Sequence, residues 1–164
     1  MKDLHIRYSN MSDFEYLYSW LKQNENNKWF PFSTKTEVKS AAKNWIAFSK
    51  YRASITGVLN NEVVAIGTLF LMPYKKLAHE AMFYLIVDEK HRRKGIGKDM
   101  LKNLLNLSKN YFKLESVFAE VFGNCPIIGL LEKLNFEKTA HQEKCIKESS
   151  NKYLDRMLFD IWFK

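Results

Sequence analysis

Val87-Asp88-Glu89-Lys90-His91-Arg92-Arg93-Lys94-Gly95-Ile96-Gly97-Lys98 is the stretch on which the fold of this chain turns. An apolar, strand-like run, Ala78–Val87, ends here, and a helical pattern begins at about Ile96. Between them lies a basic loop with two glycines. The first amides of a helix have no partner within it, and with the helix dipole they form a site for an anion. Glycine lets the main chain approach a bulky group, and Arg92, Arg93, Lys94 and Lys98 gather positive charge at the same point. The segment therefore reads as a cradle for a phosphate or diphosphate. It is not a GxxxxGK[ST] loop, because that spacing is absent. Nor is it a GxGxxG dinucleotide turn, since Gly95-Ile96-Gly97 is followed by Lys98-Asp99-Met100 and not by a third glycine.

Upstream, two runs rich in strand formers, Tyr51–Leu59 and Glu62–Met72, flank Asn60-Asn61, a pair that tolerates the positive φ of a tight hairpin. Pro73 ends the second run. Further back, Thr34 with Glu37 spells a capping box before a helix through Phe48, whose inner face is Val38, Ala41, Ala42, Trp45 and Ile46. Ser12 with Glu15 spells a second box, opening a helix through about Lys22 behind a first strand, Leu4–Tyr8. Downstream, Met100, Leu101, Leu104, Leu105 and Tyr111 form the stripe of the helix that follows the cradle. Then come a strand (Ser116–Phe122), a short helix (Pro126–Leu134) and two closing strands (Phe136–Ile146 and Tyr153–Phe163). The order β α α β β β α β α β β makes an α+β chain with a mixed sheet, and 1–164 reads as one domain.

The composition narrows the function. Hydrophobic residues are 46% and aromatics 15% of 164 residues, enough for a sizeable core. The beginning of the chain has no apolar leader pattern, and no run of about 18 apolar residues exists to span a membrane. Cys125 and Cys145 are in no CxxC or Cys/His cluster, so a cytoplasmic location with reduced thiols and no metal is expected. The net charge of +8 favours anionic partners, but the arginines concentrate at one helix start and the lysines are dispersed. A nucleic-acid surface with interleaved aromatics is therefore not expected.

Arg92-Arg93-Lys94-Gly95-Ile96-Gly97, directly after a strand, resembles the Arg/Gln-x-x-Gly-x-Gly/Ala signature of the GNAT N-acetyltransferase superfamily. Asn124 and the run Leu130-Leu131-Glu132-Lys133-Leu134-Asn135-Phe136 resemble its second signature, and the element order matches throughout. The resemblance implies a GNAT-like, mostly antiparallel sheet flanked by helices. It also implies transfer of an acetyl group from acetyl-CoA to a primary amine, a protein N-terminus or a small amine, by direct attack in a ternary complex. By position, the pantetheine would pair with Leu85, Ile86 and Val87. The pyrophosphate would sit on the amides of Arg92, Arg93, Lys94, Gly95, Ile96, Gly97 and Lys98, and Asn124 would hold the pantetheine arm.

The tyrosine that often protonates the leaving thiolate in this family is Leu131 here, which has no proton to give. Tyr84 and Tyr153 are the candidate replacements. Glu80, on the cofactor strand, is the candidate general base. The acceptor walls implied by the family are the aromatic connection Trp29, Phe30 and Phe32 and the final loop with Glu148, Asn151, Tyr153 and Asp155. A CoA-binding regulatory module that has lost chemistry is the alternative. A monomer or homodimer fits either reading.

Overall fold

The structure, a computed structural model, describes residues 3–164; Met1 and Lys2, part of the leader expectation, lie outside them. Seven strands form one sheet: β1 (Leu4–Tyr8), β2 (Ser54–Leu59), β3 (Glu62–Leu71), β4 (Glu80–Val87), β5 (Ser116–Phe122), β6 (Glu137–Ser149) and β7 (Lys152–Trp162). Their spatial order is β1-β2-β3-β4-β5-β7-β6. Every neighbouring pair is antiparallel except β4 and β5, which run parallel across the helical crossover between them. The helices are α1 (Phe14–Leu21), α2 (Asn24–Asn27), α3 (Lys35–Ala47), α4 (Ile96–Asn106) and α5 (Ile128–Lys133).

Strand alternation sends successive side chains to opposite faces, so the sheet has two cores. On one face Phe83, Val117 and Ala119 pack with Met100, Leu101 and Leu104 of α4 and Leu131 of α5. On the other, Ile66 and Ile86 pack with Leu17 and Leu21 of α1 and Val38, Trp45 and Ile46 of α3. Close seating of α4 depends on Gly67 of β3: a Cβ there would lie 2.7 Å from Leu104 Cδ1.

The Asn60-Asn61 hairpin forms as expected, with φ of 50° and 65°. Thr34 and Glu37 cap α3 reciprocally: Thr34 Oγ1 accepts from Glu37 N at 3.2 Å, and Glu37 accepts from Thr34 N at 2.9 Å. The first helix differs from expectation. Its cap is Asn10, reciprocated by Asp13, and a short 3₁₀ turn, Met11–Asp13, precedes α1. The reason is that Asp13 is drawn inward, 1% exposed, to Arg7 (2.8 Å) and Thr56 Oγ1 (2.9 Å), whereas Glu15 stays in solvent. Tyr111 also leaves its expected stripe and is exposed. Ser108 Oγ bonds back to Leu104 O at 2.7 Å, and the wide turn Leu107–Tyr111 rotates Tyr111 outward while Leu107 takes the buried place. No helix among the described residues is long and apolar enough to cross a membrane.

Candidate active site

β4 and β5 start side by side, Glu80 against Ser116, Ala81 against Val117 and Met82 against Phe118. Beyond that they part. β4 stays on β3 as far as Val87 opposite Ala65, and β5 stays on β7 as far as Phe122 opposite Arg156. From Phe83 onward one edge of β4 is therefore without a strand partner, and a wedge opens in mid-sheet. The wedge is a cleft of about 620 Å³, walled by Phe83–Val87 on one side and Ala119, Glu120 and Val121 on the other.

The basic loop closes one end. Asp88 N donates to Val64 O at 2.9 Å, and His91 Nδ1 lies 2.9 Å from Asp88 Oδ2, which pins the loop to β3. Glu62, 3.9 Å from His91 Nε2, completes a small acid–His cluster that braces this turn. Arg93 and Gly95 take positive φ, 61° and 86°. The Gly95 conformation starts α4 with no side-chain cap, and Asp99 N donates to Gly95 O at 3.1 Å. The amides of Ile96, Gly97 and Lys98 thus belong to the first turn, which has no intrahelical partners. A Cβ built on Gly95 meets nothing within 4 Å, so the ground above these amides is open.

Arg92 lies along the cleft. Its Nε donates to Val87 O at 3.0 Å, and its Nη2 donates to the side-chain oxygen of Asn26 in α2. Asn26 is 2% exposed and gives its own Nδ2 to Trp20 O at 2.7 Å. The cation that opens the loop is thereby tied to the helical wall opposite.

Trp29, Phe30, Tyr84 and Glu120 also line the cleft. Tyr84 is enclosed by rings, with centroids 5.0 Å from Phe30, 5.1 Å from Phe70 and 5.2 Å from Trp45. Burial, then the charge of Glu120, pushes its phenol up to about 12. The Glu120 carboxylate has Arg156 Nη1 at 3.8 Å. Cys125, half-buried in the same cleft, has its thiol pushed up by burial, which fits an inert thiol and not a nucleophile.

Residues 14–136 match the Acetyltransferase (GNAT) family. The chain belongs to that family. The fold is shared by yncA from Salmonella typhimurium, solved with its cofactor acetyl-CoA, at a TM-score of 0.81 and 14% identity over 99% of this chain and 95% of that one. The ribosomal-protein-alanine N-acetyltransferase from Brucella melitensis superposes with a TM-score of 0.81 at 18% identity, covering 97% and 99% of the two chains. An N-acetyltransferase from Staphylococcus aureus Mu50 does so at 0.83 and 17%, over 99% of each. In sequence, an N-alpha-acetyltransferase of Saccharolobus solfataricus is 35% identical over 71 residues. That match spans 43% of this chain and 42% of the relative's length.

Within this GNAT fold the residues singled out from sequence divide into groups. Leu85, Ile86, Val87, Arg92, Arg93, Gly95, Gly97, Lys98 and Tyr84 all line the cleft, and so does Lys133. Lys94 turns away, its Nζ 3.2 Å from Lys90 O, and the Ile96 side chain is 1% exposed in the core. Asn124 is exposed in the turn after β5, and its neighbours Cys125, Pro126 and Ile127 face the cleft instead. Leu131 is fully buried, so the family's tyrosine position holds only packing.

Glu80 stands apart. It pairs with Ser116 at the closed end of the wedge, about 13 Å along the strand from Tyr84. Of the acceptor residues, Trp29 and Phe30 reach the cleft, while Phe32 is buried and stacks on Phe30 at 5.4 Å. Asp155 is engaged within the β6–β7 hairpin: the Lys144 amide and His141 hold its carboxyl below the usual range.

Two cleft residues escaped the sequence reading, Glu120 and Asn26. The signal for Glu120 was present: Val117, Ala119 and Val121 form the buried face of β5, and Glu120 is the one charge on the alternate face.

Proposed function

We propose that this chain is an N-acetyltransferase that moves the acetyl group of acetyl-CoA to a primary amine by direct attack, with both substrates bound. The single observation that carries the reading is the wedge between β4 and β5. It joins an uncapped, cation-flanked helix start at one end to a carboxylate, Glu120, on its β5 wall. The free edge of β4 offers main-chain donors and acceptors to an extended amide-bearing arm, and the α4 amides offer donors to a diphosphate.

In this reading Glu120 replaces Glu80 as the base. Amine attack needs the neutral amine, so a proton must leave the nitrogen as the N–C bond forms, and Glu120 takes it directly or through water. Tyr84 is a positioning hydrogen-bond donor: a phenol near 12 gives up its proton too reluctantly to supply a thiolate. The departing sulfur then takes a proton from the carboxylic acid so formed on Glu120, through water, or from solvent, a route consistent with Leu131. The aromatic wall of Trp29, Phe30 and Tyr84 beside a carboxylate suits an ammonium-bearing acceptor. The partial likeness to an N-alpha-acetyltransferase favours a peptide N-terminus among such acceptors.

The test is thiol release from acetyl-CoA across a panel of peptides and small amines, with wild type and Glu120→Gln. Turnover with at least one amine, lost in Glu120→Gln while coenzyme affinity is retained, supports the reading. Coenzyme binding without turnover on any amine would favour the regulatory module.

A further inference from the structure

We propose that the open face of the sheet beside Glu120 is an acceptor platform, and that it selects a peptide with a lysine or arginine at its second or third residue. The proposal rests on the reading above and names the substrate class of that same site.

The core under α1 and α3 takes Val63, Ile66, Tyr84 and Ile86 from the sheet, and nothing from β5, β6 or β7. The rest of that face has no helix on it. Register sets its residues in rows. Met82, Phe118, Asp160 and Glu137 stand side by side across β4, β5, β7 and β6. Glu120, Leu158 and Ala140 make the next row, and Arg156 with Gln142 follows. Met157 and Phe159 are buried in the core under α4, so alternation turns these rows to the opposite face. Met82, Phe118 and Leu158 are half-buried there and belong to neither core. They form an apolar floor that borders the cleft at Glu120.

Charge identifies what covers this floor. Asp160 and Glu137 are direct cross-strand partners, and like charges in that relation repel. Neither carboxylate has an ion pair or hydrogen bond among the described residues. Arg156 is the one cation in these rows, and it is engaged: its Nε donates to Gln142 Oε1 at 2.7 Å, and its Nη1 is 3.8 Å from Glu120. Lys138, next to Glu137, pairs with Phe159 and so belongs to the other face. The chain carries +8 overall, yet this face is acidic. A cation set against Asp160 and Glu137 relieves their repulsion, and the apolar floor receives the methylene stem that carries it. Trp162, two residues from Asp160 and 57% exposed, offers the same cation an aromatic ring.

Spacing gives the position of the second charge. Glu120 and Asp160 are diagonal neighbours on adjacent strands, about 7–8 Å apart. From a terminal amine at Glu120, that is the reach to the side chain of residue 2 or 3 of an extended peptide. Glu80 starts the face one row earlier and two strands from Asp160, so it takes no part. A diamine of the same span is the rival occupant.

Three peptides alike except for Lys, Gln or Glu at residue 2 test the proposal, with 1,5-diaminopentane as a fourth acceptor. Steady-state acetylation is measured with each, and each is titrated into the chain bound to coenzyme A. Both kcat/KM and affinity should fall about fivefold from Lys to Gln, and further to Glu. Asp160→Asn should bring Lys and Gln within about twofold, through the KM of the Lys peptide and not its kcat. Because this variant removes a repulsion, its melting temperature should hold or rise. No ranking among the peptides, a preference for Glu, or a Lys preference intact in Asp160→Asn would overturn the platform. The diamine outcompeting every peptide would overturn the peptide as its occupant. Turnover absent with all four acceptors, while titration still ranks Lys first in an Asp160-dependent way, would remove the transfer reading and leave the platform standing.

Discussion

Arg92 and Asn26 meet across the cleft between β4 and β5, the guanidinium Nη2 donating to the side-chain oxygen of a buried asparagine. The same guanidinium donates to Val87 O, so one side chain joins the basic loop, the end of β4 and the wall formed by α2. Two directed donors on one planar group fix this geometry, and a lysine ammonium cannot supply them in the same fork. Arg92→Lys should therefore keep the charge yet weaken acetyl-CoA binding about tenfold. Calorimetric titration checks it, and unchanged affinity would reduce Arg92 to a bystander.

Glu120→Gln should lower kcat by about 10²- to 10⁴-fold with little change in coenzyme affinity. Glu80→Gln should leave turnover near wild type, because Glu80 is at the closed end of the wedge. A steady-state comparison of the two variants decides between the carboxylates.

Tyr84 should remain a neutral phenol throughout the working range. Its value of about 12 stands above the ordinary 10.0, so its burial contributes stability that is complete below about pH 10 and is lost as the pH climbs through about 12. Ultraviolet phenolate titration of wild type minus Tyr84→Phe should show one late-titrating group. A midpoint near 10 would remove the argument against Tyr84 as a proton donor.

Gly97→Ala separates folding from binding. A Cβ at this position would make ordinary contacts, 3.7 Å to Val87 Cγ2 and 3.8 Å to Leu130 Cδ2, so thermal stability should change little. The methyl would nonetheless crowd the approach to the first-turn amides and weaken acetyl-CoA binding. Gly95→Ala should also cost stability, about 1 kcal/mol, because φ is +86° there. Paired melting curves and titrations check both.

Asp13 anchors α1 to the sheet. Burial opposes its ionisation, but hydrogen bonds from Arg7, Asn10 N and Thr56, together with the Arg7 charge, outweigh this and hold its carboxyl below the usual range. A lowered carboxyl stabilises the fold above its unfolded-state value, near pH 4, and that contribution fades as the pH falls through the native value. Asp13→Asn should cost about 2–3 kcal/mol at neutral pH. Urea unfolding of wild type and variant should converge in acid.

Much of this was legible because it is local. The Thr34–Glu37 cap, the Asn60-Asn61 turn and the glycine turn that starts α4 are each written within a few residues. The Ser12 cap was misread because Asp13 answers to Arg7 and Thr56, and Thr56 lies on a strand 43 positions away. Glu120 and the Arg92–Asn26 bridge depend on where β4 leaves β5, and that divergence is decided by long-range pairing with β3 and β7. The position of Glu80 opposite Ser116 depends on the same pairing: alternation gives the face a residue shares, but not which end of the wedge it occupies.

The most direct measurement is a crystal structure of the chain with coenzyme A. The account predicts the diphosphate within hydrogen-bond distance of the main-chain amides at Gly95–Lys98, and the pantetheine beside the free edge of Phe83–Val87. A diphosphate bound anywhere else, or a pantetheine arm that leaves that edge bare, would contradict it.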